Sequence, residues 1–230
     1  MHQGNYRKKQ ECCLICFTPF SNYVSICNTF SINKIICDKC LKKFNKINKH
    51  ELIDKVDTWF LYSYNSFAKS LLYKYKGCYD VVLKDAFFNE YKSLIKRKYK
   101  NHIIVFPPSN KQDDINRGFI HIEKIIDCLN MKHENLFYKE IDYKQSSVHY
   151  TKRYLIKNII KMKNIKIDVN AKYLIVDDIF TSGSTLKTII PLLNKKGVKK
   201  ENIKALIIFK VADFVELWGT IVVFICISIY

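Results

Sequence analysis

The chain has 230 residues, 48% of them hydrophobic, enough for one α/β domain with a small appendage and too apolar for a disordered tail. Its formal net charge of +18, from 39 Lys and Arg against 21 Asp and Glu, creates a field that suits phosphates on nucleic acids or on small molecules. Lys beside abundant Asn, Ile and Tyr is equally what an AT-rich genome writes, so charge alone selects no partner.

The first residues, from Met1 through Arg7, Lys8 and Lys9, are polar and lead into cysteines. They do not have the form of a signal peptide, and the expected compartment is a reducing cytoplasm. Six of the nine cysteines (Cys12, Cys13, Cys16, Cys27, Cys37 and Cys40) fall before residue 48. Residues 50–99 show helical apolar spacing. The run Ile103-Ile104-Val105-Phe106 is stopped by Pro107-Pro108 and predicts a strand entering a loop. A helix is expected over 119–131, a buried strand over 173–176, a helix over 186–193 ending near Gly197, and a strand over 203–211. Strands alternating with helices predict a parallel sheet flanked by helices. The expected organisation is a module over 1–48, an α/β domain over 49–212 and an apolar tail over 213–230. The apolar run 217–230 is shorter than the roughly twenty residues of a membrane span. It reads first as a buried strand or core segment. A weak anchor and a shifted reading frame remain as alternatives.

The strongest chemical signal follows the 173–176 strand. Asp177 and Asp178 come at its end, then Ile179, Phe180, and Thr181-Ser182-Gly183-Ser184-Thr185 before a helix. A ribose phosphate needs converging amide donors for its dianion and carboxylates for its hydroxyls. Gly183 allows a tight turn. The amides of the loop and helix start attract the phosphate, and strand ends are where ligands bind in open α/β sheets. Taken singly, a Ser or Thr before a helix is usually only an N-cap, and a strand-end acid pair also suits a Walker-B-like magnesium site. A Walker A loop is excluded, because its second Gly and Lys are missing.

Cys13-x-x-Cys16 and Cys37-x-x-Cys40 make two matched pairs. Four thiolates at this spacing suit a closed, structural Zn²⁺ site. Cys12 competes with Cys13, but only Cys13 keeps two residues before Cys16. A redox C-x-x-C is the alternative.

The acid pair and its loop resemble the phosphoribosyl pyrophosphate (PRPP) motif of type I phosphoribosyltransferases. With the cysteine module ahead of it, the whole resembles the ComF family, a zinc ribbon joined to a phosphoribosyltransferase-like domain and linked to natural competence. Three other stretches carry the resemblance. Ser70-Leu71-Leu72-Tyr73-Lys74-Tyr75-Lys76-Gly77 is similar to its L-x-x-x-K-Y-x-G element. Pro107-Pro108-Ser109 with Arg117-Gly118-Phe119 is similar to its Pro-rich loop and R-G-F-N element. Lys144, Gln145 and Arg153 are similar to its K-Q…R segment. Ile120 and His121 depart from the usual Asn-Gln.

The resemblance implies a type I phosphoribosyltransferase-like fold with a small four-cysteine zinc ribbon. It implies that Asp177 and Asp178 hold the ribose hydroxyls, that Thr181 to Thr185 wrap the 5′-phosphate, and that Arg117 contacts phosphate or pyrophosphate. Mg²⁺ would accompany PRPP, largely on the ligand's own oxygens. If the chain is an enzyme, a nitrogen nucleophile displaces pyrophosphate. The competing expectation is a non-catalytic module that binds single-stranded DNA for the competence machinery. Tyr73, Tyr75 and Tyr79 among Lys69, Lys74 and Lys76 suit base stacking, although an amphipathic core helix explains the same spacing. The six His residues show no ligand spacing.

Overall fold

The computed structural model describes residues 11–20, 34–140 and 159–212. After a one-turn helix α1 (Asp38–Leu41), the chain forms an antiparallel hairpin of β1 (Lys46–Ile53) and β2 (Val56–Ser63). This corrects the helical expectation for the start of 50–99. Ile53 pairs with Val56, leaving Asp54 and Lys55 as the turn, with φ values of 49° and 66°. Two left-handed residues give the twist a two-residue hairpin needs. The turn has no Gly to announce it. β2 is buried on both faces, so Trp59-Phe60-Leu61-Tyr62 has no alternation to mark a strand.

Helix α2 (Ser66–Lys76) starts where the Asn65 side chain accepts from the Ala68 amide at 2.8 Å. It buries Ala68, Leu71, Leu72 and Tyr75 along one face. Short helices α3 (Lys84–Phe87) and α4 (Lys92–Lys98) lead to strand β3 (His102–Val105). Helix α5 (Lys111–Arg117) is capped by Asn110 and stopped by left-handed Gly118. Then come α6 (His121–Asp127), β4 (His133–Glu134), the paired strands β5 (Phe137–Glu140) and β6 (Ile159–Met162), β7 (Lys172–Phe180), α7 (Ser184–Lys195) and β8 (Ile203–Lys210). The helix expected over 119–131 is α6, shorter at both ends. The tail over 213–230 lies outside the described residues.

The main sheet has six strands in the order β1-β2-β8-β7-β3-β4. All neighbours run parallel except β1, antiparallel to β2. The sheet is therefore mixed, with a parallel body and one antiparallel edge. Alternate residues of its central strands feed two cores. Leu174, Val176, Leu206 and Ile208 pack with residues of α2, α3, α4 and α6. Tyr173, Ile175, Ala205 and Ile207 pack with Leu186, Ile189, Ile190 and Leu193 of α7. Helices on both faces explain why these strands read as continuous apolar runs.

Candidate functional site

The recess at the sheet's centre arises from unequal strand lengths. β3 pairs with β7 only as far as Val105 and Ile175. Pro107-Pro108 then follow, and a proline has no amide to continue a ladder. β7 runs on to Phe180, paired on its other side with β8. Connections leave β3 and β7 toward opposite edges of the sheet, so the gap at their carboxyl ends is the topological switch point, where open α/β sheets bind ligands. A cavity of about 690 Å³ opens there. Its wall comprises Pro107, Pro108, Ser109 and Asn110 after β3; Asp113 and Arg117 of α5; Lys76, His121, Asp177 and Asp178; Ser184, Thr185 and Thr188 of α7; and Lys139 and Ile160 of the small β5–β6 sheet.

Asp177 and Asp178 are both buried near the carboxyl end of β7. Both line the cavity, yet the two acids acquire different states. The Asp178 amide donates to Asp177 Oδ1 at 2.9 Å. Burial, reinforced by the neighbouring Asp178 charge, raises the Asp177 carboxyl well above the usual carboxylate range. Asp178 meets cations instead. Lys76 Nζ pairs with its Oδ2, and His121 Nε2 lies 3.5 Å from the same oxygen. Burial opposes the Asp178 charge, but Lys76 and His121 outweigh it and hold the carboxyl far below the usual range. Burial likewise lowers the His121 ring, against the pull of Asp178.

Arg117 is largely buried and already engaged. Its Nε donates to the Lys76 carbonyl at 3.2 Å, its Nη1 donates to Asp114 Oδ1 at 3.2 Å, and Nη1 stands 3.5 Å from His121 Nδ1. The Tyr75 hydroxyl donates to the His121 carbonyl at 2.6 Å. The end of α2 and the start of α6 are thus tied together beside Asp178, with Arg117 of α5 joined to both.

The loop 181–185 divides. Ser184 and Thr185 line the cavity, whereas Thr181, Ser182 and Gly183 are not part of its wall; Thr181 and Ser182 are exposed. Gly183 is buried at φ 72° and no side chain caps α7, which leaves the first amides of that helix for a ligand. A Cβ on Gly183 would stand 2.9 Å from the Phe180 ring. Gly183→Ala should therefore cost roughly 1–3 kcal/mol, from left-handed strain and the clash, in a urea unfolding titration. A stability equal to the parent's would mean that the turn relaxes freely.

At the other end of the chain, Cys13, Cys16, Cys37 and Cys40 bring their sulfurs within 4.8 Å of one another. The Cys16 and Cys37 sulfurs are 3.6 Å apart, and the Cys37 amide donates to Cys13 Sγ at 3.3 Å. Tetrahedral Zn²⁺ with bonds near 2.3 Å sets its sulfurs roughly 3.8 Å apart, so the cluster fits that ion. Hydrogen bonds with Thr18 pull the exposed Cys16 thiol down to about 6, toward the thiolate a metal needs. Among the described residues, no other group of three or more His, Cys, Asp or Glu side chains fits a metal.

Lys76, His121, Lys139 and Thr188 are among the wall residues to which the sequence assigned no place at this site. The only cues were position: Lys76 precedes Gly77, and His121 stands where the R-G-F-N-Q pattern carries its last residue. Tyr75 is buried and hydrogen-bonded, while Tyr73 is 68% exposed, so α2 is an amphipathic helix with an aromatic outside. Lys144, Gln145 and Arg153 lie outside the described residues.

The profile of the family described as "Phosphoribosyl transferase domain" matches residues 116–227. The chain is 24% identical over 215 residues to competence protein ComFC of Bacillus subtilis, covering 80% of this chain and 89% of that protein. It is 27% identical over 139 residues to ComFC of Streptococcus pneumoniae, covering 60% and 62%. Among solved structures, a purine phosphoribosyltransferase from Pyrococcus horikoshii is similar at 16% identity and a TM-score of 0.34, covering 55% of this chain and 82% of that one. Residues 116–227 are thus similar to a phosphoribosyl transferase domain. Within that likeness the chain is similar to ComFC competence proteins, and the four-cysteine cluster ahead of the acid-pair loop fits the resemblance to the ComF family. No helix among the described residues is long and apolar enough to cross a membrane.

Proposed function

We propose that the cavity at the end of β7 binds PRPP, or the ribose phosphate of a nucleotide, in a cytoplasmic protein serving DNA uptake during natural competence. One observation carries the proposal: two buried acids and the uncapped start of α7 face a single recess at the switch point. In this reading Asp177 and Asp178 hold the sugar hydroxyls, and the amides from Thr181 to Thr185 hold the 5′-phosphate. Arg117 and Lys139 add positive charge at the mouth. Asp178 is committed to Lys76, so Mg²⁺ arriving with PRPP fits only as an ion held by the ligand's oxygens and water. Bound there, it would neutralise the pyrophosphate. If pyrophosphate is displaced, this chain's residues contribute position and charge. The cysteine cluster staples the N-terminal segment with Zn²⁺.

Titration calorimetry with PRPP tests the proposal. The parent should bind, and the double variant Ser184→Ala with Thr185→Val should weaken binding by about tenfold, the worth of one or two hydrogen bonds to a charged group. Undetectable binding by the parent at millimolar PRPP would contradict it.

A second reading, a non-catalytic single-stranded DNA binder, draws on the net charge of +18 and on exposed Tyr73 and Tyr79. A DNA affinity that falls steeply with salt and survives changes at Asp177 and Asp178 would favour it.

A further inference from the structure

The ion pair at Asp178 has a consequence for what the cavity accepts. Lys76 is the last residue of α2, and its backbone is anchored. Its carbonyl accepts from Arg117, and its neighbour Tyr75 donates to the start of α6. The side chain alone is left to move: it is 28% exposed and lines the cavity, while its partner Asp178 is 9% exposed. A lysine ammonium has three donors, so it can keep Asp178 and grip a phosphate oxygen together. His121 approaches the same carboxylate oxygen from the other helix. With the Lys76 ammonium paired to Asp178 and the His121 ring crowding the same oxygen, little negative potential or room remains there to draw a divalent cation. The other acid, Asp177, is held toward its neutral form by burial. Asp113 lines the cavity, and Asp114 beside it is taken by Arg117 and Ser109.

We infer that Lys76 is the site's own counter-cation, shared between Asp178 and the incoming ligand, and that the cavity takes an anionic ribose phosphate without needing a divalent metal. The inference rests on the ribose phosphate proposal and specifies the ligand's charge state.

The test is calorimetric titration of the full chain with PRPP, once in EDTA and once in excess Mg²⁺. The parent should show affinities within about threefold of each other in the two buffers. Lys76→Met should lose about tenfold or more in EDTA and recover much of it with Mg²⁺, because the metal then supplies the missing charge. Lys76→Arg should stay near the parent. A parent that binds about tenfold or more tightly only with Mg²⁺ overturns the inference, as does a folded Lys76→Met matching the parent in EDTA. The parent comparison decides alone if the methionine variant does not fold. Absence of PRPP binding in both buffers is a separate outcome: it removes the ribose phosphate proposal, and the inference falls with it.

Discussion

Stripping metal from the cysteine cluster should lower the midpoint of thermal unfolding by roughly 10 °C or more. That is the effect of a few kcal/mol in a domain of this size. The cluster does not stand apart from the rest of the fold. Cys13, Leu14, Ile15, Ile36, Cys40 and Phe44 are buried in the same core as Trp59, Tyr62 and Phe209. Phe44 packs on Tyr62 with ring centroids 4.9 Å apart and on Phe67 at 5.0 Å. A backbone bond from Leu14 N to Ile35 O joins the two knuckles. A structural zinc is worth about 10–16 kcal/mol in isolated fingers at neutral pH, and only part of that is felt by a larger fold. Cys16→Ser should therefore release one zinc per chain in a colorimetric assay and reproduce the loss of stability. A purified protein with no zinc, whose midpoint ignores a chelator, would show that the thiols fold the segment unaided.

The second large effect concerns Asp178. Asp178→Asn keeps the shape of the side chain and deletes the charge on which Lys76 and His121 converge. The Lys76 ammonium is then left at a buried, neutral amide. A lost charge-assisted contact in such a place costs about 1–3 kcal/mol of stability and weakens PRPP binding about 10- to 100-fold. Urea unfolding and calorimetry read the two effects separately. The pH dependence has a definite sign. Asp178 is held below its ordinary value of 3.8. Its contribution to stability is thus fully present above that value and disappears as pH falls through the lower folded value. Asp177 is raised by burial and by Asp178. Its contribution has the opposite sense, present in acid and lost as pH rises through its folded value. The asparagine variant should therefore lack the part of the parent's acid sensitivity seen below about pH 4. A variant with the parent's full acid slope would show that Lys76 does not hold Asp178 ionised.

The acid-pair loop could be read from the sequence because its parts are contiguous: one strand, two acids, a hydroxyl-rich turn and a helix. The cysteine pairs could be read because a tetrahedral ion fixes their spacing. Lys76 and His121 could not. They reach Asp178 from two other helices, and nothing local in either segment records that the sheet brings them to one carboxylate. Arg117 was legible as a residue of the recess, but its engagement with Asp114 and the Lys76 carbonyl belongs to the tertiary fold. The hairpin of β1 and β2 was missed for a different reason. A strand buried on both faces loses its alternation, and its turn uses Asp54 and Lys55 rather than a glycine.

Crystals of the protein grown or soaked with PRPP give the most direct test of the site. Density for the 5′-phosphate should lie against the amides of residues 181–185, with the sugar hydroxyls within hydrogen-bond reach of Asp177 and Asp178. Density at another surface, or a bare recess at saturating PRPP, would contradict the assignment.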